Sequence, residues 1–134
     1  MHLKSLNLLI SRINQALRLK QIQFSTPFSF DALKLLFCLK NNCLIYGYSV
    51  DKDNRNISVF LMYYSNLPVF RHLFIYSSKK RVFQISSVEV KKFENRHSAR
   101  LSPILILDSN QGYITHLDAL QANIGGLLFG RVLL

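Results

Sequence analysis

The sequence predicts an α/β (α+β) chain of two small lobes. The N-terminal lobe runs helix, strand, helix, strand, strand; the C-terminal lobe is mostly β with one short helix. Three observations lead there. The chain has 134 residues, 49% of them hydrophobic, so it can bury a core and is too apolar for a disordered segment. Its first half alternates helical spacing with β-branched and aromatic runs. The stretch "YSNLPV", with Pro68, then separates that half from one built of short apolar runs, setting the lobes at 1–66 and 67–134.

Each element has a local reason. Leu6, Leu9, Ile10, Ile13 and Leu17 share one helix face, with Asn7, Ser11, Arg12, Asn14 and Arg18 mostly opposite, so a helix is expected over Ser5 to Leu19 with Ser5 as its cap. "QIQF" alternates as a half-buried strand does, and Pro27 ends it. Ser29 or Asp31 can cap a second helix from about Ala32 to Lys40, stopped by Asn41-Asn42. "LIYGYSV" and "ISVFLMYY" flank the turn-rich "DKDNRN" and predict a hairpin.

In the second half, Phe70 to Tyr76 and Arg81 to Ile85 look like short strands around "SSKKR", and Leu105 to Asp108 is a strand. The polar loop "DSNQGYIT" follows. Thr115 with Asp118 three residues on resembles a capping box, opening a helix over His116 to Ala122 that Asn123 to Gly126 ends. "LLFGRVL" supplies the last strand.

The charge balance is basic: 17 Lys+Arg against 7 Asp+Glu, a formal net of +10. Such an excess repels itself and points to a polyanionic partner, nucleic acid first and an anionic membrane second. Arg71 to Arg100 holds eight bases against Glu89 and Glu94, a local net of +6. Met1 to Phe30 has no acid but carries Lys4, Arg12, Arg18 and Lys20. That pattern fits both a transit peptide and a basic RNA-facing helix. No apolar run approaches a membrane span.

Catalysis has little support. The seven acids are scattered, and His2, His72, His97 and His116 show no metal-ligand spacing. Ser109 and His116 would need a third group and an oxyanion site to act together, so a capped loop with an exposed His116 is expected instead. Cys38 and Cys43 form a lone C-x4-C, a poor zinc signal, and read as two free thiols in a reducing compartment. Gly112 suits a tight turn, and short polar residues beside it can reach base edges and ribose hydroxyls. Gly125-Gly126 would let a backbone pass close to RNA or to the preceding helix.

Taken in order, these pieces resemble the small-subunit ribosomal protein S-eight family. That family shows Ser-Thr-Ser-Lys-Gly, an apolar pair, Thr-Asp, a helix, Gly-Gly and a closing strand. Here "DSNQGYITHLDALQANIGGLLFGRVL" places Gly112, Thr115 and Gly125-Gly126 at matching intervals. Arg12, Ile13 and Ala16 of "ISRINQA" match its first helix, Pro27 and Ser29 its Pro-Ser-Ser, and Arg81-Val82-Phe83 its Arg-Val-Tyr. "LKNNCLIYGYSV" is similar to its Leu-Lys-Glu-Glu-Gly-Phe-Ile run. The resemblance covers about Leu6 to Val132. Four departures stand out. The loop is Asp108-Ser109-Asn110-Gln111-Gly112, without the Lys and two hydroxyls. The Arg-Pro-Gly turn is Ser77-Ser78-Lys79. The acid after Gly-Gly is Leu127, and the helix-ending Gly is Cys43.

The resemblance implies a structural protein of the small ribosomal subunit, with no catalysis, cofactor or metal, that binds the central domain of small-subunit ribosomal RNA beside neighbouring small-subunit ribosomal proteins. It implies an RNA-binding set of Arg12, Ser29, Lys79, Lys80, Arg81, Ser109, Asn110, Gln111, Gly112, Thr115, Gly125 and Gly126. No small-molecule substrate and no membrane are expected. The basic N-terminal segment matches the family's first helix and is expected to be retained. A chain this Phe-rich and Gly-poor, with no room for a presequence, is expected to be organelle-encoded and mitochondrial. The alternative is a membrane-surface or protein-interaction module using the amphipathic N-terminal helix.

Overall fold

Helix α1, His2–Arg18, buries Leu6, Leu9, Ile10, Ile13, Ala16 and Leu17, the face its spacing predicts. It starts earlier than expected, so Ser5 lies within the helix and not at its cap. The computed structural model describes residues 2–75, 84–97 and 104–134, and the side chains of all of these except 2, 3 and 94–97. The apolar face of α1 packs on strand β1, Gln23–Pro27, and on helix α2, Phe30–Asn41. The apolar face that such a helix would lay on a membrane is thus largely packed within the first unit, with Leu8 left exposed. No helix among the described residues is long and apolar enough to cross one.

Pro27 ends β1, as expected. It is the strand's last residue, on a strand at the edge of its sheet, where a missing N–H costs no ladder bond. Ser29 then caps α2: its backbone is extended, and its hydroxyl accepts the Ala32 N–H at 3.0 Å. Strands β2, Ile45–Asp51, and β3, Asn56–Leu61, form the expected hairpin. β3 lies between β1 and β2 in an antiparallel sheet, and Ile57, Val59 and Leu61 alternate into the core. A bulge between Ile45 and Gly47 leaves Tyr46 unpaired and exposed.

Two short strands follow, β4, Tyr63–Tyr64, and β5, Leu67–Pro68, joined by Ser65 and Asn66 at φ 51° and 65°. Positive φ at both central residues is the geometry of a tight hairpin turn. The Tyr63 hydroxyl donates to the Gln21 carbonyl oxygen and ties this hairpin to the segment between α1 and β1; burial raises the phenol above its ordinary pKa. The sequence break expected after residue 66 therefore falls inside a turn. The chain divides instead into Met1–His72 and Leu73–Leu134.

The second unit is built on strand β6, His72–Ile75; β7, Gln84–Ile85; helix α3, Ser87–His97; β8, Ile104–Ser109; β9, Gly112–Thr115; helix α4, His116–Ala122; and β10, Gly126–Leu133. The sheet order is β6-β10-β8-β9, with β7 also on β10. Val90, Leu107 and Ala119 centre its core, surrounded by Ile85, Ile114, Leu120, Ile124 and Leu128. Among its described residues the unit thus holds two helices where one was expected, within the same α+β class. α3 escapes a periodicity reading because Val90 is its one fully buried described side chain, while Val88, Glu89, Lys91 and Lys92 are exposed. Its start was legible all the same: Ser86 accepts the Glu89 N–H at 3.4 Å, an S-x-x-E pattern.

Three helices end alike. Lys20, Cys43 and Asn123 have φ of 56°, 59° and 54°. At each, the residue's own N–H bonds three residues back and the next N–H bonds five back: Gln21 to Ala16, Leu44 to Leu39, Ile124 to Ala119. This is the Schellman ending, which favours glycine at the left-handed position. Asn tolerates it; a Cys carries the Cβ penalty. Cys43→Gly is therefore expected to raise stability by about 0.5–1 kcal/mol, seen as a higher urea midpoint at unchanged slope. A lower midpoint would mean that the exposed Cys43 side chain contributes more than its backbone costs.

Candidate nucleic-acid interface

β8 and β9 pair in a register that sets Ser109 opposite Gly112 and leaves Asn110-Gln111 as a two-residue turn. Gly112 has φ +97°, while neither Asn110 nor Gln111 has positive φ. A Cβ built on Gly112 meets nothing within 4 Å, so glycine is needed there for conformation and not for space. The Ser109 hydroxyl donates to the Gly112 carbonyl at 3.0 Å and accepts the Gln111 N–H at 3.2 Å. Those bonds lock the turn and hold the exposed Asn110 and Gln111 amides at its tip. An amide carries both donors and acceptors, the equipment for base edges and ribose hydroxyls.

Thr115 stands behind this surface. It is buried, and its hydroxyl accepts the Asp118 N–H at 3.3 Å as the cap of α4. As the cap it fixes where β9 ends and α4 begins. The expected exposure of His116 is corrected: the residue is 1% exposed, not an exposed loop residue. Its Nδ1 accepts the Leu105 N–H at 3.1 Å, and its ring meets Phe93 edge-on at 5.2 Å. Ser109 is engaged within its own turn. Among the described residues no group of three candidate metal ligands occurs.

The glycine pair also has a more specific reason than a close approach to RNA. A Cβ on Gly125 would lie 2.3 Å from the Ile85 carbonyl oxygen, and one on Gly126 would lie 2.8 Å from that of Asp108. Both glycines let β10 start tight against the ends of β7 and β8. Beside them opens a cleft of about 480 Å³, walled by Gln84, Ser86, Asp108, Ser109, Asn110 and the two glycines. The β8–β9 turn and the glycine pair, separate in sequence, are thus brought to one concave surface. Gln84 and Ser86 join it without having been expected; the capping Ser86 was the available signal.

The remaining expected residues fare differently. The Arg12 guanidinium donates to the Ser25 carbonyl oxygen, joining α1 to β1, and Ser29 caps α2. Both have structural work in the first unit. Lys79, Lys80 and Arg81 lie outside the described residues. Cys38 is buried and Cys43 exposed, both as free thiols.

Comparison with known proteins fits this arrangement. The family described as ribosomal protein S8 matches residues 5–133. The small ribosomal subunit protein uS8 of Alcanivorax borkumensis is 30% identical over 125 residues, covering 92% of each chain. That of Brucella anthropi is 28% identical over 127 residues, and that of Brucella ovis 27%, each with the same coverage. With a match that runs from α1 through β10, the chain belongs to the ribosomal protein S8 family.

Proposed function

We propose that this chain is a structural component of the small ribosomal subunit that binds and stabilises the central domain of the subunit's RNA. The observation that carries the RNA-binding surface is the convergence of Ser109 and Asn110, from the β8–β9 turn, and Gly125-Gly126 on one cleft of the second unit. Asn110 reads ribose hydroxyls and base edges there, with Gln111 exposed beside it at the tip of the turn, while Ser109 and Gly112 hold the turn in shape. Recognition of this kind follows the shape of an irregular RNA helix more than its linear sequence. The excess of Lys and Arg supplies affinity by displacing counterions from phosphates. The reading contains no chemical step and no cofactor; its other partners are neighbouring small-subunit ribosomal proteins.

The finer placement is a mitochondrial ribosome. The matched relatives are bacterial, and what supports the organelle is composition: 10 Phe and 5 Gly in a chain of net charge +10. The test is sedimentation of mitochondrial extract with and without ribonuclease, blotting for this chain. Migration with the small subunit that collapses on ribonuclease treatment is expected. Absence from mitochondria would remove the placement, and a ribonuclease-insensitive position would remove the ribosomal role.

A further inference from the structure

The tip of the β2–β3 hairpin and the entry to α2 meet at one end of the first unit's sheet. The Phe28 N–H donates to the Arg55 carbonyl at 2.8 Å and so joins the two loops. Between them lies a hollow of about 450 Å³, lined by Phe28, Val50, Asp51, Lys52 and Arg55. Phe30, 73% exposed, meets the Phe28 ring edge-on at 5.3 Å, and Val50 is 38% exposed. The Asp51 carboxylate is already engaged. It accepts the Asp53 and Asn54 N–H groups at 3.1 and 3.4 Å and the Asn54 amide at 3.0 Å. Among the described residues no carboxylate holds Lys52 or Arg55.

Exposed aromatic rings with an aliphatic neighbour, rimmed by charges of both signs, have the composition of a protein-binding centre. RNA fits this corner poorly. The lining offers no amide or hydroxyl side chain to meet ribose or base edges. Residues 27–31 and 51–56 hold Asp31, Asp51 and Asp53 against Lys52 and Arg55, three acids to two bases in a chain of net +10. Such a corner does not draw a polyanion, and an anionic bilayer is disfavoured for the same reason. A single carboxylate on a polypeptide can instead pair with Lys52 or Arg55, while an apolar residue next to it covers Phe28 and Phe30. Phe28 also stands at the middle Ser of the Pro-Ser-Ser pattern, so the aromatic pair is this chain's own departure. We infer that this hollow docks a segment of a neighbouring small-subunit protein that carries an apolar side chain with an Asp or Glu beside it. The inference rests on the ribosomal reading above.

The experiment places the photoreactive residue benzoylphenylalanine at position 30 of the full chain. Small subunits are assembled with it from their RNA and proteins, isolated by sedimentation and irradiated. The expected product is a crosslink to one protein, at a peptide where an apolar residue adjoins Asp or Glu. Lys52→Glu with Arg55→Glu is expected to abolish that crosslink while the chain still enters the subunit, because like charges then face each other. Circular dichroism checks that this variant folds. If it does not, Lys52→Gln with Arg55→Gln carries the test: a lower yield supports the docking, an unchanged yield overturns it. A crosslink to RNA would assign the corner to nucleic acid and overturn the inference. A crosslink to a second copy of this chain, one that survives charge reversal, or none at all in assembled subunits would overturn it as well. Those outcomes leave the ribosomal reading standing. Failure of the unaltered chain to enter the subunit would overturn both.

Discussion

Gly125→Val is expected to destabilise the second unit by about 3 kcal/mol, the upper end of what an overfilled site costs. The reason is the identity of the obstacle. The new Cβ would lie 2.3 Å from the Ile85 carbonyl oxygen and 3.0 Å from the Ser86 Cα. Both are backbone, so no side-chain rotation relieves the clash, and β7 or the start of β10 must move. The pairing of Gly126 with Ile85 and Leu127 with Gln84 is the first casualty. Hydrogen exchange reads this directly: amides of Gly126 and Leu127 should lose protection, while Ile57 to Leu61 of the first unit keep theirs. Gly47→Ala is the control, because a Cβ there meets nothing within 4 Å and the residue has no positive φ. Similar urea midpoints for the two variants would show that the glycine pair is not needed for strand approach.

Gly112→Val is expected to lower RNA affinity by on the order of tenfold, equivalent to about 1.4 kcal/mol, while leaving the salt dependence of binding as it was. A β-branched residue at φ +97° is strained, so the turn that holds Asn110 and Gln111 relaxes. No charge is removed, so counterion release is unaltered. The wild-type affinity should itself fall about a hundredfold or more between 50 and 200 mM salt, the loss expected for about four phosphate contacts. Lys52→Ala, at the tip of the first unit's hairpin, should change affinity little. Equal losses for Gly112→Val and Lys52→Ala in filter binding would count against the turn as the reading element.

The legible parts of this chain share a property: their signal lies within a few residues. α1 repeats apolar residues every three or four positions and buries those residues. The Thr115/Asp118 cap and the Asn123 ending fix α4 from both sides, and His116–Ala122 is the helix found. α3 was missed because a helix that buries little has little periodicity to read. The exposure of His116 was misjudged because nothing near it in sequence shows that β8 supplies the Leu105 N–H to its ring. Arg12 looked like a free base on a polar face until β1 brought the Ser25 carbonyl to it.

By itself the sequence determined the α+β class, nearly every element, the family pattern and the turn that needs Gly112. Spacing, capping and left-handed backbone demands are local, and each is written in adjacent residues. Only the tertiary structure decided which polar groups remain available to a partner. Burial and hydrogen bonding between distant segments took His116 and Arg12 into the fold, aimed Gly125 and Gly126 at neighbouring strands, and left Asn110, Gln111, Arg18 and Arg71 exposed. A side chain's partner is set by what packs against it, and that is a property of the assembled chain.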